Sequence, residues 1–264
     1  DQRPPLQVPP WAKIITAGTD INLYGLHSAM VAFGNDQTAG VMWYGCLDNH
    51  GKALVPKNSP EVIQKKAIYE ALVKHGKDII DSRQEITLWL IDGGYFHDVV
   101  QRYVQTICRP LPFRVHVCRG YAGERYRPHS KGTIGKPMEQ CHRTEWALGK
   151  GIAFNQHYWC EVAQRAWLGS VGSPGSSSLF RHSSGTHGEF ATQICREKLI
   201  EKFEGKAGPV WVYHTQPGRH DYGDAMYMNY VAAACSGIGT SGMMRRRKKY
   251  VETRRSVNTE WRQL

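Results

Sequence analysis

Three β-prone runs crowd into residues 13–48, and this crowding limits the fold more than any other feature of the chain. KIITAGTD, LHSAMVAFG and AGVMWYGCL are separated only by short turn-like stretches such as Asn35-Asp36. Connections this short join antiparallel neighbours, because a parallel pair needs a crossover of a dozen or more residues. A punctuated helix follows. Ser59 is placed to cap it, Pro60 to occupy its first turn and Gly76 to stop it, with Ile63, Ala67, Ala71 and Leu72 on one face. EITLWLID then reads as a central strand ending at Asp92-Gly93-Gly94. Apolar residues at 99, 100, 103, 104 and 107 have helical spacing, and FRVHVCRG is a fifth strand. The order β-β-β-α-β-α-β predicts an α/β fold: an antiparallel meander extended by parallel strands through helical crossovers, with helices on its faces.

The rest of the chain is less regular. Residues 119–150 are basic and rich in Gly and Pro, which predicts a long loop, and 155–168 a strand or helix. From 169 to 185 four Gly, seven Ser and one Pro take twelve of seventeen positions, the composition of a mobile loop. EFATQICREKLIEKF is expected as a helix, PVWVYH as a strand, and Asp221 to Cys235 as a buried helix ended by Gly237-Ile238-Gly239. The expected organisation is a Pro-rich linker over 1–12, one domain over 13–236 and a basic tail over 237–264.

Charge narrows the partner. The net charge is +11, and two segments account for all of it: 114–150 carries eight Lys/Arg against three Glu, and 245–264 eight against two. Positive charge gathered this way suits a polyanion, since each neutralised phosphate releases counterions. The nucleic-acid candidates are Arg119, Arg125, Arg127 and Lys131, with Tyr121 and Tyr126 interleaved, and Arg245, Arg246, Arg247, Lys248 and Lys249 in the tail. Apolar runs are too short for a membrane span, and the amino terminus lacks the layout of a secretory signal. Seven scattered cysteines without a Cys-x-x-Cys pair point to reduced thiols and against a structural zinc site.

Three acidic positions fall where a sheet-based active site would want them. Asp20 closes the first strand, and Asp92 closes the fourth beside two glycines that leave room for a substrate backbone. Asp221 and Asp224 stand three apart, on one face of the last helix. If the first and fourth strands are parallel neighbours, Asp20 and Asp92 meet at their carboxyl ends, where such sheets bind ligands. A helix across that edge brings Asp224 into reach. Crowded carboxylates stay ionised only with cations among them, and hard oxygen donors favour Mg²⁺ or Mn²⁺.

The segments ITAGTDINLYGLHSAMVAFG, LWLIDGGYFHDVVQRYV, VHVCRGYAGERYRP and RHDYGDAMYMNYVAAA resemble, in order and spacing, the nuclease domain of lambda-type phage large terminases. The resemblance implies a ribonuclease H-like fold over 13–236 and an endonuclease that cuts concatemeric viral double-stranded DNA during packaging, in the cytoplasm of an infected bacterium. It implies Asp20, Asp92 and Asp224 as the catalytic, metal-binding triad, Asp221 as a fourth metal ligand, and two Mg²⁺ or Mn²⁺ ions. It also implies an ATPase motor in the same full-length chain, with a small terminase subunit and a portal as partners. Gly132-Thr133-Ile134-Gly135-Lys136-Pro137 is no phosphate loop, because position 130 is Ser and Pro replaces the final Ser/Thr. A junction resolvase or transposase of the same fold, and a DNA-binding module without catalysis, are the competing readings. His97 and His220 lie beside the acidic residues as candidate proton or phosphate partners, and Trp43, Trp89 and Trp211 read as core.

Overall fold

The computed structural model describes residues 2–48, 52–122, 125–181, 187–203, 209–215 and 217–239. The predicted meander is β1 (Ile14–Asn22), β2 (Gly25–Phe33) and β3 (Ala39–Asp48), antiparallel throughout. Helix α1 (Glu61–Asp81) crosses to β4 (Ile86–Asp92), which lies parallel to β1. Helix α2 (His97–Tyr103) runs into a π-helical turn, Val104–Cys108, and returns to β5 (Arg114–Tyr121), parallel to β4. The strand order β3-β2-β1-β4-β5 is the ribonuclease H-like mixed sheet.

Several expectations are corrected. Residues 119–150 are not one long loop: β6 (Thr133–Met138), β7 (Cys141–Trp146) and β8 (Gly149–Asn155) extend the sheet, with β8 parallel to β5. The Gly and Pro content serves tight packing and turns. Gly151 lies so close under the Trp146 ring and the Val117 carbonyl that no β-carbon fits. Gly76 does not stop α1 but sits inside it, where a β-carbon would meet the Tyr103 hydroxyl. Nor does Ser59 cap that helix by its side chain.

After α3 (Gln156–Leu168), the Ser-rich stretch is partly docked. Its residues Ser177–Ser178 form β9 against the edge of β3, and the Ser177 hydroxyl lies 2.6 Å from that of Tyr230. The helix expected over 189–203 is split into α4 (Gly188–Ile194) and β10 (Glu197–Phe203). The latter pairs antiparallel with β11 (Pro209–Thr215), so strand pairing overrides a local helical pattern. The last helix is α5 (Asp221–Cys235), as predicted. Leu6 of the Pro-rich start donates its amide to the Met42 carbonyl at 2.8 Å, which lays that segment along β3.

Strand alternation makes two cores. Ile15, Ala17 and Ile21 of β1 join Trp89 and Ile91 of β4 beneath α1 and α2. On the other face Ala29, Val31, Leu88 and Leu90 pack under α3, α4 and α5. No helix among the described residues is long and apolar enough to cross a membrane.

Candidate active site

The register of β1 and β4 pairs Thr19 with Ile91, so Asp20 and Asp92 follow side by side at the carboxyl ends of parallel neighbours. Alternation turns both toward the α5 face. What brings α5 down onto them is Gly18. A β-carbon there would lie 2.3 Å from the Ala225 carbonyl oxygen, so only glycine lets the helix backbone approach this closely. Asn229 then fixes the helix in place. Its buried side chain accepts from the Thr16 hydroxyl at 2.7 Å and donates to the carbonyls of Ala29 and Ala225 at 3.2 and 2.9 Å. Gln193 of α4 receives the Tyr222 amide at 3.0 Å and so caps the start of α5.

The first turn of α5 therefore arrives over the strand ends carrying Asp221 and Asp224. Asn22 ties the two sides together, donating to Asp20 at 3.3 Å and to Asp221 at 3.0 Å. Burial, then the charges of Asp92 and Asp221, push the Asp20 carboxyl well above the usual range. Burial likewise raises Asp92 to about 6, although the amides of Gly93, Gly94 and Tyr95 and the Arg119 charge all favour its ionised form. The Tyr227 hydroxyl lies near enough to three of the acids to feel their charges. Burial raises its pKa first, and the charges of Asp224, Asp20 and Asp92 all add to the rise.

Asp221 is engaged differently. Arg219 donates Nε to it at 2.9 Å, Nη1 to Asp48 at 2.6 Å and Nη2 to Nε2 of His27 at 2.7 Å. His27 is fully buried opposite Asp20 on β2, and burial lowers its pKa to about 4. Next to Asp92, Gly94 donates its amide to the carboxylate at 3.0 Å, and Phe96 takes a left-handed φ of 50° to turn the chain into α2. A non-glycine residue there stores strain beside the acidic edge.

Among the basic candidates, Arg119 stands close enough to lower the pKa of Asp92. Arg125, Arg127 and Lys131 lie exposed between β5 and β6. Arg245, Arg246, Arg247, Lys248 and Lys249 fall outside the described residues. Tyr126 is not available to stack on a base, because it is buried with its hydroxyl 3.1 Å from Nδ1 of His142. His220 lies 3.5 Å from Asp224, and His97 packs edge-on against Trp146. Trp89 is core, whereas Trp43 is half-buried beside His75, and the Trp211 side chain lies outside what is described.

Sequence reasoning missed Gly18, Asn22, His27, Asp48, Arg219 and Asn229. The only local signal was polar residues inside apolar strands and a helix.

No family model matches the chain, and no curated protein matches it. Among solved structures it is similar to gp2c of the large terminase subunit from bacteriophage Sf6 with calcium, at 10% identity over 83% of this chain and 88% of that one, with a TM-score of 0.45. It is also similar to the nuclease domain of the large terminase subunit gp2 of bacterial virus Sf6, at 11% identity over 82% and 87%, with a TM-score of 0.43. A third similar structure, an Aquifex aeolicus member of the Ppx/GppA family, covers 39% of this chain and 35% of that one at 12% identity, with a TM-score of 0.27.

Proposed function

We propose that the chain is a metal-dependent endonuclease that hydrolyses phosphodiester bonds of double-stranded DNA. The observation that carries this reading is the meeting of Asp20 and Asp92 beneath the Asp221/Asp224 turn of α5, remote in sequence and brought to one sheet edge. The donor set is all carboxylate oxygen, and Asp20 is buried against two like charges, which is the environment a hard divalent cation relieves. Asp20, Asp92 and Asp224 would hold Mg²⁺ or Mn²⁺, with Asp221 at their border. A pair of such ions supplies positive charge against a phosphodiester and lowers the pKa of the attacking water.

The protein's own part is positioning. Gly94 keeps the approach to Asp92 open, since a β-carbon there would lie 3.0 Å from its carboxylate, and Arg119 offers a guanidinium to a phosphate beside it. Asn22 and Arg219 hold Asp221 in one orientation, so the α5 turn meets the strand ends at a fixed height. Arg125, Arg127, Lys131 and the tail cluster Arg245 to Lys249 extend the basic track along the backbone of the duplex.

In this reading residues 13–236 are the nuclease domain, 1–12 a linker and 237–264 a basic tail. The setting is packaging of concatemeric viral DNA in the host cytoplasm, beside an ATPase motor of the same full-length chain, a small terminase subunit and a portal. Incubation with supercoiled plasmid and Mn²⁺ or Mg²⁺ tests it. Nicking is expected, and Asp20→Asn and Asp92→Asn each abolish it without changing the circular dichroism spectrum. Binding without nicking would make the chain a DNA-binding module, and a strong preference for four-way junctions would make it a resolvase.

A further inference from the structure

A second cluster of metal-ligating side chains lies one strand over from the acidic edge. His27 and Cys46 are a cross-strand pair of β2 and β3, and Asp48 lies two residues further along β3, on the same side of the pleat. One nitrogen of His27, the Cys46 sulfur and an Asp48 oxygen all fall within 4.8 Å of one another. Nitrogen, thiolate and carboxylate together suit a borderline divalent ion such as Zn²⁺, unlike the all-oxygen set around Asp20.

The imidazole is already prepared for this. Arg219 has only donors, so the Nε2 it approaches at 2.7 Å is the unprotonated nitrogen, its lone pair directed at a cationic group. Nδ1 then carries the proton and faces an Asp221 oxygen at 3.5 Å. A carboxylate on the other ring nitrogen is the usual outer partner of a ligating histidine, and Asp221 stands at that position, near enough for an ion pair but not hydrogen-bonded to Nδ1. Burial raises the pKa of the Cys46 thiol, and the Tyr222 hydroxyl, within hydrogen-bonding reach, works against that rise. Cys46 is exposed, and the Arg219 side chain is 30% accessible, so an ion has an entry path and the guanidinium has somewhere to go.

We propose that His27, Cys46 and Asp48 form a site for a thiophilic divalent cation such as Zn²⁺, which competes with the Arg219 guanidinium and reports its occupancy to the acidic edge through Asp221. Binding forms the metal–sulfur bond as the Cys46 thiol gives its proton to solvent. Arg219 leaves Asp48 and His27, and its hold on Asp221 goes with them. The exchange links a soft-metal signal to the carboxylates proposed to act on DNA, and that second half rests on the nuclease reading.

Cobalt titration of the full chain in excess Mg²⁺ tests the site without reference to activity. Wild type should develop a thiolate-to-Co²⁺ charge-transfer band. Cys46→Ser should lack it, and Cys195→Ser, which alters the other exposed cysteine, should keep it. Arg219→Gln should lower the half-saturating Co²⁺ concentration by about tenfold, the effect of removing one charge-assisted competitor. No band, or a band that persists in Cys46→Ser, overturns the site. Zn²⁺ should suppress Mg²⁺-supported nicking in wild type and leave Cys46→Ser much less affected. Equal suppression of both would overturn the link to Asp221 while leaving the cobalt result standing.

Discussion

Gly18 of β1 lies directly beneath Ala225 of α5, with 2.3 Å between the place of a missing β-carbon and the helix carbonyl. The height of the helix over the sheet, and so of Asp221 and Asp224 over Asp20, is set at this contact. Gly18→Ala must lift or tilt α5. We expect a loss of roughly 1–3 kcal/mol of stability from overpacking and a larger fall in nicking than that loss of folded protein explains. Urea denaturation beside a plasmid assay separates the two. Unchanged nicking in a destabilised variant would show that the helix height is not critical.

Asn229 holds the same helix by polar contacts. Asn229→Ala takes from the Thr16 hydroxyl its 2.7 Å acceptor, leaving only the backbone carbonyl of residue 229 at 3.5 Å, and removes one donor to the Ala29 carbonyl inside the core. A cost of roughly 1–3 kcal/mol is expected from leaving buried groups unsatisfied. It should appear as a lower urea midpoint with an unchanged slope.

Asp92 gives a pH prediction for protein stripped of divalent ions. Its folded pKa of about 6 lies above the usual 3.8, so the native state holds this proton more tightly than the unfolded chain. The resulting contribution is fully present below the unfolded value and is lost as pH rises through about 6. His27, lowered to about 4, works in the opposite direction over an overlapping range, which would blur the wild-type curve. The difference between Asp92→Asn and wild type removes that overlap. The variant should gain relative stability from pH 4 to pH 7, approaching about 3 kcal/mol. Mn²⁺ should raise the melting temperature of wild type more than that of the variant. A pH-independent difference would refute the electrostatic picture.

Arg119 tests the basic track. With Arg119→Ala, DNA affinity should drop similarly for unrelated sequences. The slope of log affinity against log salt should become shallower by about 0.9, the value for one lost phosphate contact. A sequence-dependent loss with the slope intact would point to base contacts instead.

Much of the frame was readable from the chain. Short connections fixed β1 to β3 as a meander, apolar runs marked β4 and β5, and the i, i+3 spacing of Asp221 and Asp224 gave their common face. The misreadings fell where composition and context disagree. The Gly-rich and Pro-containing 119–150 stretch looked like a loop, yet Gly151 is demanded by the Trp146 ring above it. Residues 197–203 had a helical pattern, yet β11 supplied a partner strand from farther along the chain.

By itself the sequence determined the order of the elements from β1 to β5, the last helix and the four acids at their ends, because hydrophobic period, turn residues and strand termini are local properties. Only the tertiary structure decided that Asn22 bridges Asp20 and Asp221, that Arg219 joins Asp48, His27 and Asp221, and that His27, Cys46 and Asp48 share a few ångströms. Those residues come from separate strands and a helix nearly two hundred positions away. Their meeting depends on sheet register and on how closely one helix can approach, which no local window of residues encodes.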